Sequence, residues 1–219
     1  MPRAYAVLFD LDGVIADTAP FHQESWLAFA RKYGIPMTEA DFRRTFGMRN
    51  EEILVTLFQR DLGPLELYRY ALEKEELFRR KIRGRVKALP GAKALIQALH
   101  RQGSRLAVVS STPPENLELI LGELQLLPYF QVTLSGRDVG QGKPHPEGYL
   151  RAAERLQVEP RLCVVIEDAP LGVEAAKRAG MRSIAVTGTH PREELKTADL
   201  IVDSLEQVSP LEIEALLQQ

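Results

Sequence analysis

Two acidic residues follow a short apolar run near the start of the chain. Asp10 and Asp12 come directly after the segment AYAVLF, and Gly13 follows them. One carboxylate in such a place can act as a nucleophile, and a second one can give and take protons. Taken alone, an Asp at the end of a strand is as readily a turn or helix-capping residue. The pair indicates a site only if other segments supply complementary groups.

Groups that can hold an anion follow two further segments. Ser110 and Ser111 come after the apolar run RLAVV, where hydroxyl and main-chain N–H groups can bind a phosphate. Lys143 lies in the segment GKPHP, in which two prolines stiffen the chain. Taken singly, the serines are typical helix caps and the lysine a typical solvated charge.

A second acidic pair follows the apolar run LCVVI. Glu167 and Asp168 read as helix-capping residues when they are considered alone. Independent capping gives no reason for acids, hydroxyls and a lysine to follow successive strands of one sheet. Carboxylates without His or Cys partners favour hard cations, and a phosphate beside them favours Mg²⁺. The combined pattern therefore predicts a site for both a phosphate and Mg²⁺.

Electrostatics gives each group a role in phosphoryl transfer. Two unit charges about 4 Å apart interact by roughly 4 kcal/mol at an effective dielectric of about 20, so these acids would repel a phosphate dianion. Mg²⁺ and Lys143 would offset that repulsion. We expect Asp10 to attack the phosphate and become an aspartyl-phosphate. Asp12 would protonate the leaving oxygen and then deprotonate water or a second substrate hydroxyl.

Short runs rich in β-branched and other apolar residues predict the strands that position these groups. The four strongest runs lie at 4–9, 105–110, 162–167 and 182–187, and weaker ones at 131–134 and 199–202. The strong runs lack apolar/polar alternation and are mostly separated by helical segments, which is typical of a parallel sheet covered on both faces. Ligands of such sheets bind beyond the carboxyl ends of the strands.

About ninety residues separate the first predicted strand from the second, which is too many for one crossover connection. Helical patterns or capping signals occur at 20–33, 38–41, 50–62 and 65–82. We therefore predict an α/β protein with a small all-helical second domain inserted after the first strand.

Four segments closely resemble the four motifs of the haloacid dehalogenase superfamily in order and spacing. They are FDLDGVIADT, VVSST, GKPHPEGY and VIEDAPLGVEAAKRAG. The helical insert resembles the small cap of the beta-phosphoglucomutase-like branch, and the resemblance covers essentially the whole chain. It implies a Rossmann-like parallel-sheet core, residues 1–16 and 86–219, with an inserted all-helical cap domain, residues 17–85.

The resemblance also implies a set of ligand-binding residues. Mg²⁺ would be held by Asp10, the main-chain carbonyl of Asp12 and Asp168, with Glu167 close by. Ser110 and Lys143 would hold the phosphate, and Ser111 is a further candidate beside them. Haloacid dehalogenases proper use only the first Asp, so by analogy the presence of Asp12 favours phosphoryl transfer.

Candidate residues for substrate binding and cap motion lie in the insert. Thr18 and His22 belong to the segment DTAPFH, which matches the branch. Mutases use a His at this place in the hinge and in proton control, but related phosphatases carry it too, and a His on a helix can be merely packed. By analogy, the cap is expected to open about hinges near residues 14–18 and 84–90.

The cap departs from the mutase pattern on both sides of Gly47. Beta-phosphoglucomutases carry a Lys before this glycine and an Arg three residues after it, and both grip the sugar bisphosphate. Here those places hold Phe46 and Asn50, although Arg49 could compensate from one place earlier. The loss of two cations favours hydrolysis over mutase activity.

We therefore predict a Mg²⁺-dependent phosphatase for a small phosphorylated metabolite such as a sugar phosphate, with water as the acceptor. The alternative is a phosphomutase, which would need a bisphosphate activator and release little phosphate. A third hypothesis is a non-catalytic phosphorelay receiver, which also phosphorylates an Asp on a parallel sheet. The length of the chain and the helical insert count against that hypothesis.

Composition narrows the expected partners. The chain has 219 residues, 45% of them hydrophobic and 26% charged, and a formal net charge of −2 with scattered Lys and Arg. This pattern favours neither nucleic acid nor a membrane surface as a partner. No run reaches the roughly 18 to 20 apolar residues of a membrane span, and no signal segment precedes the first strand, so we expect a cytoplasmic protein. We expect a monomer or weak homo-oligomer, with Cys163 as a buried core thiol.

Overall fold

A six-stranded parallel sheet forms the centre of the computed structural model, which describes residues 5–218. Its strands are β1 (Ala6–Phe9), β2 (Arg105–Val109), β3 (Val132–Leu134), β4 (Cys163–Glu167), β5 (Arg182–Val186) and β6 (Leu200–Val202). They are ordered β3-β2-β1-β4-β5-β6, and all neighbours are parallel. The connections leave β1 toward one edge and later return to the other, so β1 and β4 flank a switch point at which such sheets bind ligands.

The predicted strands are all present, each one or two residues shorter than its apolar run. Ala4, the first residue of one run, lies outside the described residues. Alternate residues of each central strand contribute to two separate apolar layers: Val7 and Phe9 face one layer, and Ala6 and Leu8 face the other. Full burial of such a side chain contributes about 1.5–3 kcal/mol. The missing alternation in the sequence therefore reflects helices packed on both faces of the sheet.

The described part of the chain contains nine α-helices. They are α1 (Ala19–Lys32), α2 (Glu39–Thr45), α3 (Asn50–Phe58), α4 (Pro64–Ile82), α5 (Ala92–Arg101), α6 (Pro114–Glu123), α7 (Glu147–Leu156), α8 (Pro170–Arg178) and α9 (Pro210–Leu217). None of the helices within residues 5–218 combines the length and the apolar character that a membrane span requires. Cys163 is buried as predicted, and burial raises the pKa of its thiol to about 12.

The helix predicted at 50–62 is shorter in the structure, because α3 ends at Phe58. Gln59 has a left-handed conformation with a φ of 50°, and its N–H group bonds to the carbonyl of Val55, which closes the last turn. Gly63 then precedes α4, whose first residue is Pro64. The apolar Leu62 that extended the predicted pattern is buried from the loop, among the side chains of the helical insert.

Helices α1–α4 lie between β1 and β2 and share an apolar cluster of their own, built around Trp26, Phe29 and Leu54. The capping signal at 38–41 is confirmed, since Thr38 and Asp41 form a reciprocal capping box at the start of α2. The segments that enter and leave this layer pair with each other through a bridge between Ala16 and Ala88. The chain therefore enters and leaves the insert at one place beside the sheet.

Candidate active site

A pocket opens where the carboxyl ends of the strands meet the helical insert. It contains about 530 Å³ of empty space, part of it open to solvent. From the sheet side it is lined by Asp10, Asp12, Ser110, Ser111, Lys143, Glu167 and Asp168, and from the insert by His22, Trp26, Phe42, Phe46 and Glu75. The structure thus brings together all but two of the predicted site residues. The exceptions are Thr18, which lies behind Asp12, and Arg49.

Lys143 lies at the centre of a buried group of charges. Its Nζ atom is 2.5 Å from both Asp10 Oδ1 and Glu167 Oε1. Tyr149, on α7, donates a hydrogen bond of 2.6 Å to the same oxygen of Glu167, and two main-chain N–H groups donate to the other oxygen. Since both oxygens of Glu167 are engaged, this side chain holds Lys143 beside Asp10. Its predicted role at the metal stays a prediction.

Two carboxylates of the pocket resist ionisation. Burial raises the pKa of Asp10 to about 7, against the opposing charge of Lys143. Burial, together with the charges of Glu167 and Asp10, raises the pKa of Asp168 well above its ordinary value, although Thr189 donates a hydrogen bond to it. The pocket therefore carries more negative charge than Lys143 can neutralise. A cation beside these oxygens would relieve that excess.

Gly13 leaves room for the carboxylate of Asp168. Its φ is +86°, a conformation that side chains other than glycine rarely adopt, and a Cβ atom there would lie 2.2 Å from Asp168 Oδ2. Glycine is thus required at this position by both the backbone conformation and the neighbouring carboxylate.

Three side chains lie within hydrogen-bonding distance of Asp12. Its Oδ1 atom accepts a bond of 2.6 Å from Thr18 and lies 3.3 Å from His22 Nε2, while Ser110 Oγ lies 3.4 Å from Oδ2. Burial raises the pKa of Asp12, but the charge and the hydrogen bond of His22 and the bond from Thr18 outweigh it, so the net pKa is below its usual value. Asp12 is therefore set up as a carboxylate that can accept a proton.

Two buried, charged residues of α4 are not among the site residues predicted from the sequence. Lys74 Nζ lies 2.8 Å from His22 Nδ1 and 2.8 Å from Glu75 Oε1, and the two residues are only 1% and 3% exposed. The ring of His22 stacks on Phe78 with centroids 3.8 Å apart. A charged pair on a helix is usually solvated. The sequence signal for the burial of Glu75 was its spacing from Phe78 and Ile82, which places all three residues on one face of a helix.

Glu75 also joins the insert to the sheet side of the molecule. Its Oε1 accepts a hydrogen bond of 2.9 Å from Asn50, and its Oε2 accepts one of 2.5 Å from Asn116, which lies on α6. A second link lies nearby, because Ser111 Oγ donates to the carbonyl of Gly47 at 2.9 Å. Both contacts therefore link the insert to the sheet side at residues that line the pocket.

Arg49 points away from the pocket. Its Nη1 donates to the carbonyl of Gly140 at 3.2 Å, and its Nε lies 3.7 Å from Glu51. It lines two neighbouring grooves but not the cavity that contains Asp10. Phe46 does line that cavity, with its ring edge-on to His22. In this arrangement Arg49 does not replace the cations that the sequence lacks at Phe46 and Asn50.

Comparison with known proteins agrees with this geometry. A family model described as haloacid dehalogenase-like hydrolase matches residues 5–180. A phosphorylated carbohydrates phosphatase of Thermotoga maritima is 38% identical over 181 residues, which cover 82% of this chain and 83% of that protein. A chloroplastic 5-amino-6-(5-phospho-D-ribitylamino)uracil phosphatase of Arabidopsis thaliana is 31% identical over 211 residues. That match covers 95% of this chain but only 57% of the Arabidopsis protein.

A solved structure shows the same architecture. The crystal structure of a beta-phosphoglucomutase from Clostridium difficile superimposes with a TM-score of 0.89 at 29% sequence identity. The match covers 98% of this chain and 97% of that one. The arrangement of sheet and helical insert is therefore shared with a phosphomutase as well as expected for phosphatases.

Proposed function

The chain belongs to the family of haloacid dehalogenase-like hydrolases, and from this premise we propose that it is a phosphatase, a phosphoric monoester hydrolase for small phosphorylated metabolites such as sugar phosphates. One observation carries the proposal: Asp10 and Lys143 are in direct contact in a pocket that also presents the carboxylate of Asp12. A nucleophile, an anion-binding cation and a proton acceptor are the groups that phosphoester hydrolysis needs. The names of the Thermotoga and Arabidopsis relatives support it.

We propose Mg²⁺ as the cofactor. Asp10 and Asp168 supply buried carboxylate oxygens whose raised pKa values reflect uncompensated charge, and such oxygens suit a hard divalent cation. Among the described residues, no three His, Cys, Asp or Glu side chains form a complete site, and the main-chain carbonyl of Asp12 would add a third protein ligand. When bound, the ion would offset the negative charge of the phosphate and of the acids around it.

The chemical steps follow from the positions of the protein groups. Lys143 and Ser110 hold the phosphate while a carboxylate oxygen of Asp10 attacks phosphorus, and the bond from phosphorus to the ester oxygen breaks. Asp12 gives a proton to the departing oxygen. In the second step Asp12 removes a proton from water, the resulting hydroxide attacks phosphorus, and inorganic phosphate leaves Asp10 free.

Asp12 must first receive the proton that it donates, because its pKa is held low. His22 is the neighbour that can supply it, since Nε2 lies 3.3 Å from Asp12 while Nδ1 lies 2.8 Å from Lys74. Residues 17–85 act as the cap in this proposal. The cap brings His22 and Lys74 to Asp12, and it shields the aspartyl-phosphate from bulk water.

Phosphomutase activity is the second candidate, and the similarity to the Clostridium difficile beta-phosphoglucomutase favours it. The contacts of the cap favour hydrolysis. Mutases carry Arg at the place of Asn50. Here the side-chain amide of Asn50 donates a hydrogen bond to Glu75 instead of binding a phosphate. A phosphorelay receiver gains no support, since the family matched is one of hydrolases.

The decisive experiment is phosphate release from a panel of sugar, nucleotide and short-chain phosphate esters, with Mg²⁺ and with a chelator. We expect release to need Mg²⁺ and to fall at least about a thousandfold in an Asp10→Asn variant. Asp61→Asn is the matched control, because Asp61 is exposed in the loop before α4. Unchanged release by a folded Asp10→Asn variant would refute the mechanism. Interconversion of sugar phosphates only with a bisphosphate activator would favour the mutase.

A further inference from the structure

The geometry points to Glu75 as the residue that selects the leaving group. We infer that the pocket takes phosphate monoesters whose leaving group is polyhydroxylated and neutral or cationic, and that it rejects leaving groups that carry a second negative charge. The inference rests on the proposed phosphatase function and names the substrate class of the same site.

Glu75 lies where a leaving group must pass. It lines the pocket that contains Asp10, and it also lines an adjoining groove of about 560 Å³ between the insert and the sheet side. Ser111 is shared by the two cavities in the same way. An ester bound with its phosphate at Asp10 and Lys143 therefore extends past the carboxylate of Glu75.

The carboxylate is held ionised and has capacity for one more hydrogen bond. Burial raises the pKa of Glu75, but the charge of Lys74 and the hydrogen bonds from Lys74 and Asn116 lower it below its usual value. A carboxylate has about four acceptor sites. Lys74 and Asn50 bond to Oε1, and Asn116 bonds to Oε2. The remaining site on Oε2 suits a hydroxyl or ammonium group of the substrate.

Among the described residues, each Lys or Arg that lines this end of the pocket or the adjoining groove already has a protein partner, so a second anionic group would have to displace it. Among the described residues that line the pocket itself, Lys143 is the single Lys or Arg, and it is already bound to Asp10 and Glu167 at the phosphate end. Lys74 is paired with Glu75. Three arginines line the adjoining groove. Arg49 donates to the carbonyl of Gly140, Arg79 to the side chain of Asn116, and Arg137 to Glu115. The insert also lines the pocket with four apolar side chains, those of Trp26, Phe42, Phe46 and Met48. Such side chains pack against the C–H faces of a sugar.

The test uses three esters with the phosphate on the same carbon but different charges elsewhere. They are glucosamine 6-phosphate, glucose 6-phosphate and gluconate 6-phosphate. Dissociation constants would be measured by calorimetry in an Asp10→Asn variant with Mg²⁺, so that the readout does not depend on turnover. We expect gluconate 6-phosphate to bind at least about tenfold more weakly than glucose 6-phosphate, and glucosamine 6-phosphate to bind at least as tightly.

Two substitutions in that background should relax the discrimination. Glu75→Gln removes the charge with little change of size, and Asn50→Arg sets a cation beside Glu75 without removing the buried acid. Both should bring the affinities for the gluconate and glucose esters to within about threefold of each other. Glu76→Gln is the matched control: Glu76 is the next residue of α4 but is exposed, and the preference should persist in that variant.

Equal affinities for the three esters, or no measurable binding of any, would overturn the inference. So would a preference that survives both Glu75→Gln and Asn50→Arg in folded protein. Failure of the proposed function is distinguishable from this. If the unsubstituted protein binds the neutral esters with the expected order but releases phosphate from none of them, the phosphatase proposal fails and the selection by Glu75 stands.

Discussion

At the scale of single residues, Glu167 shows how much of the site serves to hold one lysine. The carboxylate accepts hydrogen bonds from Lys143 and Tyr149 and from two main-chain N–H groups while being almost fully buried. Burial raises the pKa of Glu167, but Lys143 and these donors outweigh it, so the net pKa is lowered. An uncompensated buried charge would cost several kcal/mol. The position of Lys143 thus depends on groups that never contact a substrate.

Tyr149 is the donor whose removal tests this dependence. In a Tyr149→Phe variant we expect the free energy of unfolding to fall by about 1–3 kcal/mol, and kcat to fall by roughly tenfold because Lys143 is held less firmly. The measurements are urea unfolding and phosphate release. Tyr33→Phe is the matched control, since Tyr33 donates a similar bond of 2.8 Å to Glu73 on the cap, away from the pocket. Turnover in Tyr149→Phe equal to that of the control would contradict the positioning role.

The residues that line the sheet side of the pocket could be predicted from the sequence, whereas those that hold them in place could not. Asp10, Ser110 and Asp168 follow apolar runs, and the ends of parallel strands meet at one edge. Tyr149 and Glu75, in contrast, come from helices whose other residues have ordinary amphipathic patterns. Which side chain reaches across to a carboxylate depends on helix position, and no local pattern records that.

At the scale of elements, the cap is held to the sheet side by polar contacts at separate places. Asn116 on α6 donates to Glu75 on α4, and the loop before α3 places Arg49 against Gly140. The segments on which the cap would turn are paired by main-chain hydrogen bonds at Ala16 and Ala88. Water can replace polar contacts of this kind, so breaking them when the cap opens would cost little free energy.

Locking the cap should stop turnover if opening admits the substrate. We expect an Arg49→Cys, Gly140→Cys variant, joined by a disulfide or a short thiol cross-linker, to lose most of its phosphate release. Gly140 has room for a side chain, because a Cβ atom there meets nothing closer than 3.5 Å. A reductant should restore the disulfide-linked form. The two single-cysteine variants are the controls. Full activity of the linked form would show that substrates enter without opening.

The elements themselves were mostly predictable, and the one clear error has a local cause. Apolar runs and capping signals located the strands, α1, α4 and the start of α2 to within about two residues. The end of α3 was missed because Gln59 adopts a left-handed conformation that favours glycine or asparagine. The loop that follows carries a buried Leu62, which prolonged the apolar pattern beyond the helix.

At the scale of the whole molecule, a formal net charge of only −2 conceals a concentration of acids in one pocket. Asp10 and Asp168 have raised pKa values, so the folded protein without metal binds more protons than the unfolded chain between about pH 4 and pH 7. The stability that Asp10 contributes is lost as the pH rises through about 7, and the raised pKa of Asp168 acts in the same direction. Asp12 and Glu167 have lowered pKa values and already contribute fully above about pH 4.

This charge balance predicts how Mg²⁺ and pH act together on stability. Without metal, Tm should fall between pH 6 and pH 8. Added Mg²⁺ should raise Tm at both pH values, and more at pH 8, because the acids that would hold it are then ionised. Thermal unfolding followed by circular dichroism measures both effects. An Asp10→Asn variant should show a weaker dependence on pH and on Mg²⁺. An equal effect of Mg²⁺ at the two pH values, or none, would contradict this prediction.

Because the two ends of the insert meet beside the sheet, evolutionary changes inside the insert are separated from changes in the rest of the chain. Asp10, Lys143 and Asp168 lie outside the stretch that enters at Ala16 and leaves at Ala88, whereas Glu75 lies inside it. Since the two ends of that stretch are neighbours, its length and sequence can drift without disturbing strand order. A lineage can therefore acquire new substrates by changing the insert while it keeps His22 beside Asp12, and Asp10, Lys143 and Asp168 are inherited unchanged.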